Sequence, residues 1–182
     1  MNNFLQAGTE EGQVTFHVSS DLFGVSSLLE KPNFYFFLCN LKLKDQIPDL
    51  PNVYKLHGKT DLNNLGIALI KAFRSIDPNT EASKRICVNI LSDVLVNYGV
   101  KATRQWISEL ITNLSSKGFT VLAVFDAGMH PADEANAVLG LFDGEISLFE
   151  VVDEMKCRKS LRVKKLGNKD YIENPICLTK QR

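Results

Sequence analysis

Apolar runs of strand length recur along the chain at Val14–Val18, Asn33–Leu38, Val53–Leu56, Ile86–Leu91, Thr120–Phe125 and Glu145–Phe149, and a polar-alternating run lies near Ser160–Leu166. Most are continuous, not alternating, which predicts strands buried on both faces and a mainly parallel sheet with helices on both sides. The intervening segments carry helical spacing. Asp61–Ser75 places Leu62, Leu65, Leu69 and Phe73 three or four apart, with Asp61 suited to its start. Thr103–Ser115 does the same with Trp106, Ile107, Leu110, Ile111 and Leu114, and Lys117-Gly118 ends it. A shorter helix is expected over Val94–Tyr98, with Ser92-Asp93 capping it. After Phe149 the helical pattern stops. The basic, alternating tail from Lys156 predicts an antiparallel hairpin closing on the sheet edge, with Gly167-Asn168 near its turn. The expectation is a single α/β domain, with a core over 1–150 and the hairpin over 151–182.

Composition narrows the classes. The 182 residues are 45% hydrophobic and 23% charged, enough for one sizeable core. Lys plus Arg and Asp plus Glu balance at 21 each, so no global field draws nucleic acid or an anionic membrane. The opening MNNFLQAGTEEG lacks the pattern of a signal peptide, and no apolar stretch approaches the ~20 residues that span a bilayer. A cytoplasmic protein is expected. Cys39, Cys87, Cys157 and Cys177 are widely spaced, as are His17, His57 and His130, without zinc-type spacing. Reduced, buried thiols are the simplest reading.

In open parallel sheets, ligands collect beyond the carboxyl ends of the strands. The residues there are Ser19-Ser20-Asp21, Asn89 with Ser92-Asp93, Asp126-Ala127-Gly128-Met129-His130, and Glu150. Asp126 and His130 share a loop, but no third ligand or nucleophile accompanies them, and capping explains them more simply. His57-Gly58-Lys59-Thr60 supplies the end of a phosphate-binding loop between the strand-like Asn52–Leu56 and a helix. Its other end is missing. The G-x-x-x-x-G-K-[ST] pattern needs a glycine where Val53 stands, so a strand-to-helix turn is the reading it supports. Lys156, Arg158, Lys159, Arg162, Lys164 and Lys165 make the hairpin locally basic; a solvated edge protected by lysines explains this at least as well as nucleic-acid contact.

Several strings, in order, resemble the KaiC-like branch of the RecA superfamily of P-loop ATPases, particularly its divergent archaeal members. They are Phe4-Leu5-Gln6-Ala7-Gly8-Thr9-Glu10-Glu11-Gly12, the Ser/Asp-rich end of the next strand, Asp61-Leu62-Asn63-Asn64-Leu65-Gly66-Ile67-Ala68, the block Ile86–Asp93, and Leu141-Phe142-Asp143-Gly144-Glu145-Ile146. The resemblance implies a RecA-like core, N-terminally incomplete because Phe4–Gly12 matches the end of the helix that follows the P-loop. The catalytic positions depart from the family pattern. Asn89 stands where the resemblance implies a metal-associated Asp, followed closely by Ser92. Ser19-Ser20 stand where it implies adjacent acids, with Asp21 one residue beyond as a weak substitute for the water-activating carboxylate. Lys165 matches a lysine that reaches a neighbouring subunit's phosphates, but Gly167 replaces the accompanying arginine.

Phosphoryl transfer rests on positioning and charge stabilisation, so joint losses of this kind argue against turnover. The resulting expectation is a degenerate, non-hydrolysing RecA/KaiC-like domain without an assigned cofactor. It would serve as a regulatory or protein-interaction module, meeting a protein partner or forming a homo-oligomer through RecA-type faces. The alternative is an ATP- and Mg2+-binding ATPase whose P-loop lies upstream, with Asn89, Ser92 and Lys165 as its cofactor contacts. Nucleic-acid binding ranks last and no membrane is involved. Without the P-loop strand, a gap would expose strand edges, so either the sheet reorders or a partner fills it, and the chain is expected to self-associate or to be marginally stable alone.

Overall fold

The computed structural model describes residues 1–58, 61–77, 80–153, 156–167 and 169–178, the side chains of 151–153 and 156–158 excepted. It resolves into two compact units, Met1–Ala132 and Asp133–Arg182. In the first, α1 (Asn2–Glu10) leads into β1 (Val14–Ser19), β2 (Phe34–Leu38), β3 (Val53–Lys55), α2 (Leu62–Ser75), β4 (Lys84–Asn89), α3 (Leu91–Ser115) and β5 (Phe119–Ala123). The five strands form one sheet in the order β3-β2-β1-β4-β5, and every pairing is parallel.

The continuous apolar runs form this sheet because each strand has two faces to bury. On one face, Leu65, Ala68, Leu69 and Ala72 of α2 and Val94 and Leu114 of α3 pack with Phe16, Val18, Phe37, Ile86 and Val88. On the other, Leu5 of α1 and Val25, Leu28, Leu29 and Ile47 from the loops cover Phe34, Phe36, Leu38 and Cys87. Asp61 caps α2 as its sequence suggests, its Oδ1 accepting from the Asn64 N–H at 3.2 Å. Among the described residues, no helix is long and apolar enough to cross a membrane.

Three local readings need correction. The run Ile86–Leu91 is not all strand: β4 stops at Asn89, and Leu91 already opens α3, with the Val94 N–H bonded to Ile90 O at 2.9 Å. The segments read as Val94–Tyr98 and Thr103–Ser115 form one helical span broken at Gly99, whose φ of 71° and ψ of 172° suit a residue without Cβ. Glu145–Phe149 is not a strand of the parallel core; it lies within β6 (Gly144–Asp153), which pairs antiparallel with β7 (Lys156–Leu166). Adjacency in sequence favours that hairpin, and Ile146 and Leu148 alternate with polar neighbours as antiparallel strands do.

The second unit therefore holds α4 (Ala132–Leu139, from its second residue) and a three-stranded antiparallel sheet in which β8 (Ile176–Leu178) joins β7. Lys164 pairs with Glu145 at 2.6 Å and Lys159 with Glu150 at 3.9 Å across the β6–β7 ladder. Gly167 follows β7 with φ 53° and donates to Asp143 O at 2.6 Å. Asn168, read as part of a turn, lies outside the described residues. Among the described residues, the strands of the first sheet are contiguous, with β3 and β5 at its edges.

One buried polar group in the first sheet makes its stability sensitive to acid. His17 on β1 is fully buried, stacked on Phe36 at 5.6 Å between ring centroids, with Nδ1 3.4 Å from Cys87 O. Its Nε2 has no hydrogen-bond partner among the described residues. Burial lowers its pKa to about 4, well below the ordinary 6.5, so the folded protein holds it neutral. The unfolded chain then binds a proton that the native state refuses, and stability falls as pH drops from about 6.5 to about 4. Denaturant melts should show a loss approaching roughly 3 kcal/mol across that window. His17→Gln should remove most of this slope; an unchanged slope would contradict the assignment.

Candidate functional site

The parallel register sets Ser19 at the end of β1 directly beside Asn89 at the end of β4. Asn89 Nδ2 donates to Ser19 Oγ at 3.4 Å, and the Asp21 N–H donates to the same hydroxyl at 3.2 Å. Asp21 Oδ1 in turn accepts from the Phe23 N–H at 2.9 Å, closing a tight local turn. Thus Ser19, Asp21 and Asn89, separate in sequence, are joined in one small network at the carboxyl edge of the sheet. Asn40, just beyond β2, extends it by donating from Nδ2 to Ser20 O at 2.9 Å. Sequence reading overlooked Asn40, although an asparagine immediately after a continuous apolar run was available as a signal.

Beside β5, Ser92 in the first turn of α3 accepts from the Asp126 N–H at 2.9 Å. Ser92 is therefore not the helix cap expected of it; Ile90 occupies the cap position without a side-chain bond, and the hydroxyl instead pins the loop after β5. Asp126 Oδ1 accepts from the Gly128 N–H at 3.1 Å, capping the single turn Ala127–Met129. His130 stacks on Phe125 with centroids 5.0 Å apart and planes 5° from parallel. Asp126 and His130 thus each have a local structural partner. Lys165 belongs to the second unit, where its Nζ donates to Phe142 O at 2.6 Å. Of His57–Thr60, Lys59 and Thr60 lie outside the described residues.

The donor set fits a magnesium nucleotide poorly. Mg2+ favours oxygen ligands in near-octahedral array with at least one carboxylate, and the Ser19–Asn89 network offers a hydroxyl and an amide. Asp21, whose N–H joins the network, turns its carboxylate onto the Phe23 N–H. Among the described residues, no group of three or more His, Cys, Asp or Glu side chains is placed to hold a metal ion. Cys39 and Cys87 are buried thiols, each pushed up to about 12 by desolvation, so neither supplies a thiolate near neutral pH. Cys177, in contrast, is exposed, against the expectation of burial.

The class of fold follows from this architecture. The structure resembles that of a KaiC-like protein from the hyperthermophilic archaeon Pyrococcus horikoshii OT3 with a TM-score of 0.66, over 95% of this chain and 75% of that one, at 11% sequence identity. The chain has a RecA-like α/β fold with an antiparallel C-terminal hairpin. It belongs to DUF7504, a family of unknown function, whose model matches residues 44–148, more than half of its length. No curated protein matches it.

The bond from Ser92 to the loop after β5 has a measurable consequence. Ser92→Ala leaves the Asp126 N–H without its acceptor and should lower stability by about 1 kcal/mol. Hydrogen exchange followed by NMR should show the Asp126 amide losing protection while amides within β4 keep theirs. Unchanged protection at Asp126 would contradict this role.

Proposed function

We propose that this chain is a degenerate, non-hydrolysing RecA/KaiC-like domain that acts as a regulatory or protein-interaction module. The observation that supports the reading is the neutral Ser19–Asn89 hydrogen bond at the carboxyl edge of the sheet. The family resemblance puts carboxylates at both places, one to activate water and one to hold the metal. Their replacement by a hydroxyl and an amide, bonded to each other, removes the charge that phosphoryl transfer requires. Gly167 in place of the trans arginine removes a further charge. These substitutions lie inside the chain, so they weigh on the reading wherever the natural start falls.

The partner in this reading is a protein, either another chain or a second copy, meeting a RecA-type face. The zero formal net charge gives nucleic acid no general attraction. A second reading is an ATP-binding KaiC-like ATPase completed by an upstream P-loop, for which Asn89, Ser92 and Lys165 would be the nucleotide contacts. The overall fold favours it, and the neutral Ser19–Asn89 pair does not.

Isothermal calorimetry of the purified chain with Mg-ATP separates the two. The module reading expects no saturable heat in the micromolar range. Micromolar binding would overturn it, and ATP turnover abolished by Asp21→Ala would establish the enzyme.

A further inference from the structure

We draw no further inference here: the strongest candidate, the apolar face of the β6–β7–β8 sheet on which Ile146, Leu148, Ile176 and Leu178 are exposed beside Leu161 and Val163, carries none, because nothing in the structure shows what covers it.

Discussion

Strand β1 is hydrogen-bonded along both edges and buried at every residue, and the rest of the first unit is arranged around it. Phe16 at its middle meets Tyr35, Phe37, Phe73 and Phe119 with ring centroids 4.9 to 5.5 Å apart, drawing β2, α2 and the start of β5 onto one point. Burying one such ring contributes about 1.5–3 kcal/mol, and offset aromatic contacts add to it. Register follows from that packing, since a slip of one residue would turn Phe16 to the other face and His17 into the aromatic cluster. The position of Ser19 beside Asn89 is thus a consequence of core packing four residues or fewer upstream. The candidate site inherits its geometry from the hydrophobic interior.

On the opposite face of β1, Thr15, His17 and Ser19 form a polar row inside the protein. Thr15 Oγ1 lies near Gln13 O, and Gln13 in turn accepts from Arg85 Nε at 2.7 Å. Arg85 also donates to Phe4 O at 2.8 Å and stacks over the Phe4 ring at 4.8 Å. Through these contacts α1 is held against the start of β4. Gly8 is required there, because a Cβ at that position would collide with the Arg85 side chain. One end of the sheet is therefore tied by a charged clamp, while the other ends in the uncharged Ser19–Asn89 pair.

Much of this was legible in the sequence, for reasons that differ by element. The doubly buried strands announced a parallel sheet through their continuous apolar runs, and α2 announced itself through spacing and Asp61. The break at Gly99 was not readable, because a glycine within a helical pattern has the same letters whether it continues the helix or interrupts it. The assignment of Glu145–Phe149 to the core failed because a short apolar run does not state its pairing partner; β7, nearby in sequence, took it. At the site, Asn89 and Ser19 were singled out separately, and only the parallel register joined them. Ser92 was misread as a cap because its true partner, the Asp126 amide, lies 34 residues away.

The carboxyl edge of the first sheet brings Ser19 and Asn89 together as a neutral hydrogen-bonded pair. Asn89 donates to the Ser19 hydroxyl, Asp21 closes its own turn, and Lys165 bonds a backbone carbonyl in the second unit. A paramagnetic titration addresses that directly: amide NMR signals are followed as Mn2+ and ATP are added together, since Mn2+ broadens only nuclei close to where it binds. The account predicts no selective broadening of the Ser19, Asp21, Asn89 and Ser92 amides at micromolar metal. Selective loss of those signals, reversed by chelation, would contradict it.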